Sequence, residues 1–298
     1  LVTGVQTCAL PICWSQTTGP GTCTFTSTTT EDTTISSCDA QGDYTLQLVV
    51  TDSAGNSSSD TMTLSWDSTP PVVNAGSDSS QKAGFTQNGS VGDATTILWT
   101  KVSGPGNVVF GDSAAASTTV SMDTDGSYVL QLSGTDSAGN EATDTVTIIW
   151  DTIAPAVNVG ADLAANASQA IDATVSDAGV IQSYSWSQTA GPGTCSFSST
   201  NTEDTTISSC STDGAYTLQL TVTDSAGNSN SDTLIFTWDT TAPSVNAGTD
   251  SNESASFTLN GSVGDATTIT WSMQSGPGTV TFGDANRSEE HTSELQSP

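Results

Sequence analysis

Positive charge is almost missing from this chain: 32 Asp and Glu stand against 3 Lys and Arg and a single His, a formal net charge of −29. Binding to a phosphate backbone depends on Lys and Arg that release counterions, so the balance argues against nucleic acid as a partner. An anionic membrane surface is disfavoured for the same reason. No apolar run approaches the ~20 residues of a membrane helix, so no membrane insertion is expected within this sequence. The scarcity of His removes the base of a Ser/His or Cys/His pair and most ligands of a zinc site. Glycines occur in turn-like stretches rather than as a phosphate-cradling G-x-G-x-x-G.

The exceptions cluster at the ends. RSEEHTSELQSP, residues 287–298, holds the only Arg, the only His and three of the seven Glu. A codon choice for Arg287–Ser297, followed by one C, has a reverse complement that translates as VTGVQTCALPI, residues 2–12. Residues 1–12 and 287–298 therefore read as adapter-derived sequence and are set aside from the fold. Cys13, whose codon would begin with the last adapter base, falls on the junction. The stretch between has 32 − 3 = 29 acids and 3 − 1 = 2 bases, Lys82 and Lys101, and reads as part of a longer gene.

What is present is repetition. WSQTTGPGTCTF at Trp14 returns as WTKVSGPGNVVF at Trp99, WSQTAGPGTCSF at Trp186 and WSMQSGPGTVTF at Trp271, spacings of 85, 87 and 85 residues. GDYTLQLVVTDSAGN at Gly42 returns at Gly126 and Gly214, and WDSTPPVVNAGSD at Trp66 returns at Trp150 and Trp238. A unit of about 86 residues is one small domain with its own core.

Each unit reads as all-β. YTLQLTVTD, residues 216–224, alternates apolar and polar as a half-buried strand does. In the following DSAGN, Ser225 and Ala226 suit a type I turn and Gly227 the left-handed bulge position. Strands are expected near 155–160, 169–176, 180–188, 194–199, 203–210, 215–224 and 231–238, the seven of a β-sandwich. Trp14, Trp99, Trp186 and Trp271 sit where an Ig-type third strand places its core Trp. Tyr44, Tyr128 and Tyr216 suit a tyrosine corner. Trp66, Trp150 and Trp238 close the last strand, and core or interdomain packing is expected for them over a bare carbohydrate platform.

Taken together, PxVNAGxD, SYSWSQTxGPG and GxYTLQLTVTDSAGNSxSDT resemble polycystic-kidney-disease (PKD) type Ig-like domains, which occur in tandem in secreted bacterial proteins. The resemblance spans residues 13–286: partial copies at 13–67 and 242–286 flank complete ones at 70–151 and 154–239. It implies tandem Ig-like sandwiches, and it permits calcium, which some PKD-type domains bind.

The cysteines depart from that family's usual pattern. Cys23 with Cys38 and Cys195 with Cys210 share one spacing, and aligned copies replace Cys23 and Cys195 by Val108 and Val280, Cys38 and Cys210 by Met122. Joint loss suggests that the two positions touch. Disulfides Cys23–Cys38 and Cys195–Cys210, and an oxidising compartment, are expected; the alternative is two free buried thiols per copy.

No catalytic constellation emerges. Paired acids such as Glu203–Asp204 read as a solvated face, and the chain is not expected to be an enzyme. Calcium, which takes six to eight hard oxygen ligands, is the one cofactor the residues admit. Candidate ligands at the copy boundaries are Asp67 and Asp78, Asp151 and Asp162, and Asp239 and Asp250, with Asp52, Asp136 and Asp224 in TDSAGN. An Asp that caps its own turn explains TDSAGN equally well. The expected role is that of non-catalytic extracellular or cell-surface spacer and adhesion repeats, with short linkers such as Ser68-Thr69 joining sandwiches into a semi-rigid rod. Partners would be other domains of the chain, or protein or polysaccharide at a cell surface. The alternatives are an accessory region of a secreted hydrolase and a carbohydrate-binding module, which exposed Trp66, Trp150 or Trp238 would favour.

Overall fold

The structure, a computed structural model, describes residues 11–283 and the backbone of 286–287; Cys8 and His291 lie outside the described residues, as do most of the two adapter-like ends. The chain divides into two compact units. One comprises Leu1–Ala156 with Ser176–Gln182 and Thr223–Asn230, the other Val157–Val175, Ser183–Val222 and Ser231–Pro298.

Within the first unit, the copy at 70–151 is complete. Its centre is a hairpin in which Gly126–Thr135 and Glu141–Trp150 pair antiparallel without a slip, from Gly126 opposite Trp150 to Thr135 opposite Glu141. Alternate residues of both strands turn inward, so Tyr128, Leu130, Leu132, Val146 and Ile148 are all buried. Thr96–Ser103 joins on one side and Ser79–Gln81, parallel, on the other, completing a four-stranded sheet. A three-stranded sheet of Val108–Phe110, Ser117–Met122 and Phe85–Asn88 faces it, and Val72–Asn74 pairs with Ser90–Gly92. Between the sheets lie Trp99, Val120, Met122 and the hairpin's apolar residues. Each such side chain, fully buried, contributes roughly 1.5–3 kcal/mol, and this apolar layer is the main force holding the sandwich.

The first copy shows the same hairpin, Gly42–Thr51 with Ser57–Trp66, and the third repeats the sheet order strand for strand. Where seven strands were expected, the third copy has nine segments. The stretch near 169–176 is cut into Gln169–Ile171 and Thr174–Ser176, which belong to different sheets, so one alternating run cannot continue through Asp172–Ala173. The short Leu163–Ala165, parallel to Phe236–Trp238, carries no β-branched signal and is held by its partner instead.

Two local devices brace the sandwiches, the second in the first and third copies alone among the described residues. The first is the tyrosine corner: the hydroxyls of Tyr44, Tyr128 and Tyr216 donate to the carbonyls of Ala40, Thr124 and Thr212, at 2.5, 2.6 and 2.5 Å. Their rings fill the space above the first glycine of each GPG. At Gly104, with φ +134°, a Cβ would stand 2.3 Å from Tyr128 Cδ1. The second is the disulfide. Cys23 faces Cys38 and Cys195 faces Cys210 across neighbouring strands, and both pairs are bonded. In the copy without cysteines, Val108 faces Met122 at the same place.

Two outcomes are expected on denaturant unfolding. Gly104→Ala, which meets both the ring and a left-handed backbone, destabilises its copy by roughly 3 kcal/mol. Cys195→Val with Cys210→Met, which copies the natural apolar pair, keeps the fold and loses less than the roughly 3 kcal/mol that closure of a fifteen-residue loop contributes. The paired change to Ser, which leaves polar groups at the same place, is expected to cost more.

Candidate functional site at the repeat boundaries

The TDSAGN turn is built by its own aspartate. In the 70–151 copy Asp136 Oδ1 accepts the backbone N–H groups of Ala138 and Asn140, each at 2.9 Å, while Oδ2 accepts Asn140 Nδ2 at 2.9 Å. Gly139 takes φ +90°, the bulge conformation expected of it, and its Cβ position is open space, so the backbone and not crowding requires glycine. Asp52 with Asn56 and Asp224 with Asn228 repeat the arrangement. The side-chain hydrogen bond from the Asn is the largest of the causes that hold Asp52 and Asp136 below the usual carboxylate range.

The second hydrogen on that Asn amide reaches the previous copy. Asn140 Nδ2 donates to the carbonyl of Asp67 at 3.1 Å, and Asn228 Nδ2 to the carbonyl of Asp151 at 2.9 Å. At the second boundary Asn230 Nδ2 also donates to Pro155 O at 2.9 Å, and Lys82 Nζ donates to the carbonyl of Gly227. The residues after each closing Trp are tied back to their own copy. Asp125 accepts the N–H and hydroxyl of Thr152, and Asp213 accepts the N–H of Thr240 and the hydroxyls of Thr240 and Thr241.

Most of the boundary aspartates named from the sequence accept backbone N–H groups. Asp78 accepts the N–H of Thr147 and Asp162 that of Ile235, each bracing its own closing strand. Asp67 and Asp239 cap Thr69 and Thr241 two residues on, and Asp250 is exposed. Asp151 instead joins Asp224 and a residue that sequence reasoning missed, Asp177: one carboxylate oxygen of each lies within 4.8 Å of the others. The available signal was a length change. Between strand and Trp, copy two reads DATTILW and copy three DAGVIQSYSW, a longer connection that starts at the aspartate. Burial, followed by the charges of Asp177, Asp224 and Asp125, pushes Asp151 above the usual carboxylate range despite the N–H of Ile153 on its Oδ1.

Two of the three closing tryptophans, Trp150 and Trp238, offer no bare platform. Trp150 and Trp238 are each 6% exposed and Trp66 is half-buried; Trp150 belongs to the core of its own sandwich. Trp99 and Trp186 are core residues whose indole N–H groups are bonded to carbonyls, those of Ala115 and Ala116 and of Glu203. Among the described residues no helix is long and apolar enough to cross a membrane.

Comparison with known proteins agrees with the motifs. The family model for the K319L-like PKD domain matches residues 11–65, 76–149 and 159–237. The rat dyslexia-associated protein KIAA0319 homolog is 31% identical over 216 residues, covering 65% of this chain and 20% of its own, so the chain spans about a fifth of that relative. Among solved structures, the PKD domain from KIAA 1837 protein is 26% identical, covering 29% of this chain and 90% of its own, with a TM-score of 0.25. Cadherin domains 3-6 of protocadherin gamma B2 are 13% identical, covering 77% and 69%, with a TM-score of 0.31. With three matches that together span more than half of its length, the chain belongs to the K319L-like PKD-domain family.

Proposed function

We propose that these PKD domains serve as non-catalytic spacer and adhesion repeats of a larger protein at a cell surface or in the extracellular space. The observation that carries this reading is the repeated boundary bond, Asn140 to Asp67 O and Asn228 to Asp151 O. A turn that completes itself with one amide hydrogen and holds the preceding copy with the other couples folding within a copy to attachment between copies. Tandem PKD domains with internal disulfides are modules of an extracellular type, in keeping with an oxidising compartment. The acidic surface favours solubility and discourages edge-to-edge pairing.

Calorimetry and limited proteolysis of the full chain test the reading. Asn140→Ala with Asn228→Ala should lower the melting temperature by several degrees, each lost hydrogen bond being worth about 1 kcal/mol, and should open residues 67–71 and 151–155 to cleavage. Protease resistance and melting identical to the unaltered chain would remove the boundary bond from the argument. A second expectation concerns acid. Side-chain hydrogen bonds from Asn56, Asn140 and Thr241 hold Asp52, Asp136 and Asp213 below the usual carboxylate range. Their contribution is therefore present above about pH 4 and lost as pH falls through the lower folded values. Asp136→Asn should melt lower than the unaltered chain at about pH 7 and show a smaller further drop between about pH 4 and 2.

A further inference from the structure

Asp151, Asp177 and Asp224 form the one group of three metal-ligating side chains among the described residues. Asp151 is 6% exposed and Asp224 0%, so two of the three carboxylates have lost nearly all contact with water. Most of their oxygens are accounted for by the turn geometry already described. Asp177 is different. Its Oδ2 is buried, and among the described side-chain atoms it is the buried oxygen or nitrogen that receives no hydrogen bond. A shielded carboxylate oxygen without a protein donor is destabilising unless water or a positive charge meets it.

A second observation concerns the space in front of these oxygens. Gly179 leaves room where a Cβ would stand 2.6 Å from Asp151 Oδ2 and 3.3 Å from Asp177 Oδ2, so both oxygens converge on one space that only glycine keeps clear. The two cations of the repeats do not supply the missing charge as bonded partners: Lys82 Nζ is on the carbonyl of Gly227 and Lys101 Nζ on that of Gly106. The spacing also suits a cation. Oxygens that share a calcium ion at about 2.4 Å lie no more than about 4.8 Å apart, and a shell of six to eight is completed by carbonyls and water.

We propose that Asp151, Asp177 and Asp224 form a calcium-type divalent cation site built into the second boundary and absent from the first. At the first boundary the residue that follows the corresponding strand, Asp93, is exposed and joins no such group with Asp67 and Asp136. This site does not rest on the adhesion reading, which could fail while the ion still binds.

The test is calorimetric titration of calcium into the chelator-stripped full chain, with melting followed at millimolar calcium and, separately, millimolar magnesium. Calcium should give saturable heat and raise the melting temperature by a few degrees, with magnesium giving less, because it requires a smaller, near-octahedral shell. Asp177→Ala, which removes an oxygen with no internal partner, should keep the fold and weaken calcium at least tenfold. Asp93→Ala should leave binding unchanged. Should Asp177→Ala misfold, the isosteric Asp177→Asn takes its place with the same expectation. No saturable heat and no melting shift with either ion, or undiminished calcium affinity in the Asp177 variants, would overturn the site.

Discussion

The hairpin that ends in Asp-Ser-Ala-Gly-Asn is the constraint on which the rest of each copy depends. Its strands supply much of the buried apolar layer, including Tyr128, Leu130, Leu132, Val146 and Ile148 in the 70–151 copy. Its first strand carries the tyrosine that anchors the preceding loop and packs on the GPG glycine. Its turn holds the previous copy through an Asn amide.

The excess of acid has a local explanation for many of its members. An unpaired carboxylate is the side chain that can accept two backbone N–H groups at once, and these copies use it wherever a strand end or turn leaves such groups unmet. Asp144 and Asp232 accept the N–H of Ala75 and Val159, and Asp123 accepts Asn107 through both its N–H and its amide. Asp is thus a structural residue here as well as a candidate ligand. Asp78 and Asp162, named as candidate ligands from the sequence, each accept an N–H of the closing strand of their own sheet.

The architecture was legible because its signals are local and repeated. Alternation in YTLQLTVTD, the glycine at the bulge and the tyrosine three residues after its loop carbonyl's neighbour needed no distant contact to be read, and the internal copies supplied the comparison that one copy lacks. Paired loss of Cys23 and Cys38 as Val108 and Met122 carried a long-range contact, because two positions that change together in aligned copies are two positions that touch. The short strand Leu163–Ala165 was not legible, since its pairing with Phe236–Trp238 and not its composition makes it a strand.

The sequence by itself determined the fold class, the length of the repeat and the cysteine partners. These follow from periodicity and spacing, which are properties of neighbours in the chain or of copies laid side by side. Only the tertiary structure decided which aspartates meet. Asp151, Asp177 and Asp224 are far apart in sequence, and whether a carboxylate is spent on a backbone N–H or left facing two others depends on where the folded chain places its donors. Burial decided the tryptophans in the same way: Trp150 closes its strand inside its own core, and no pattern along the chain distinguishes that from an exposed ring.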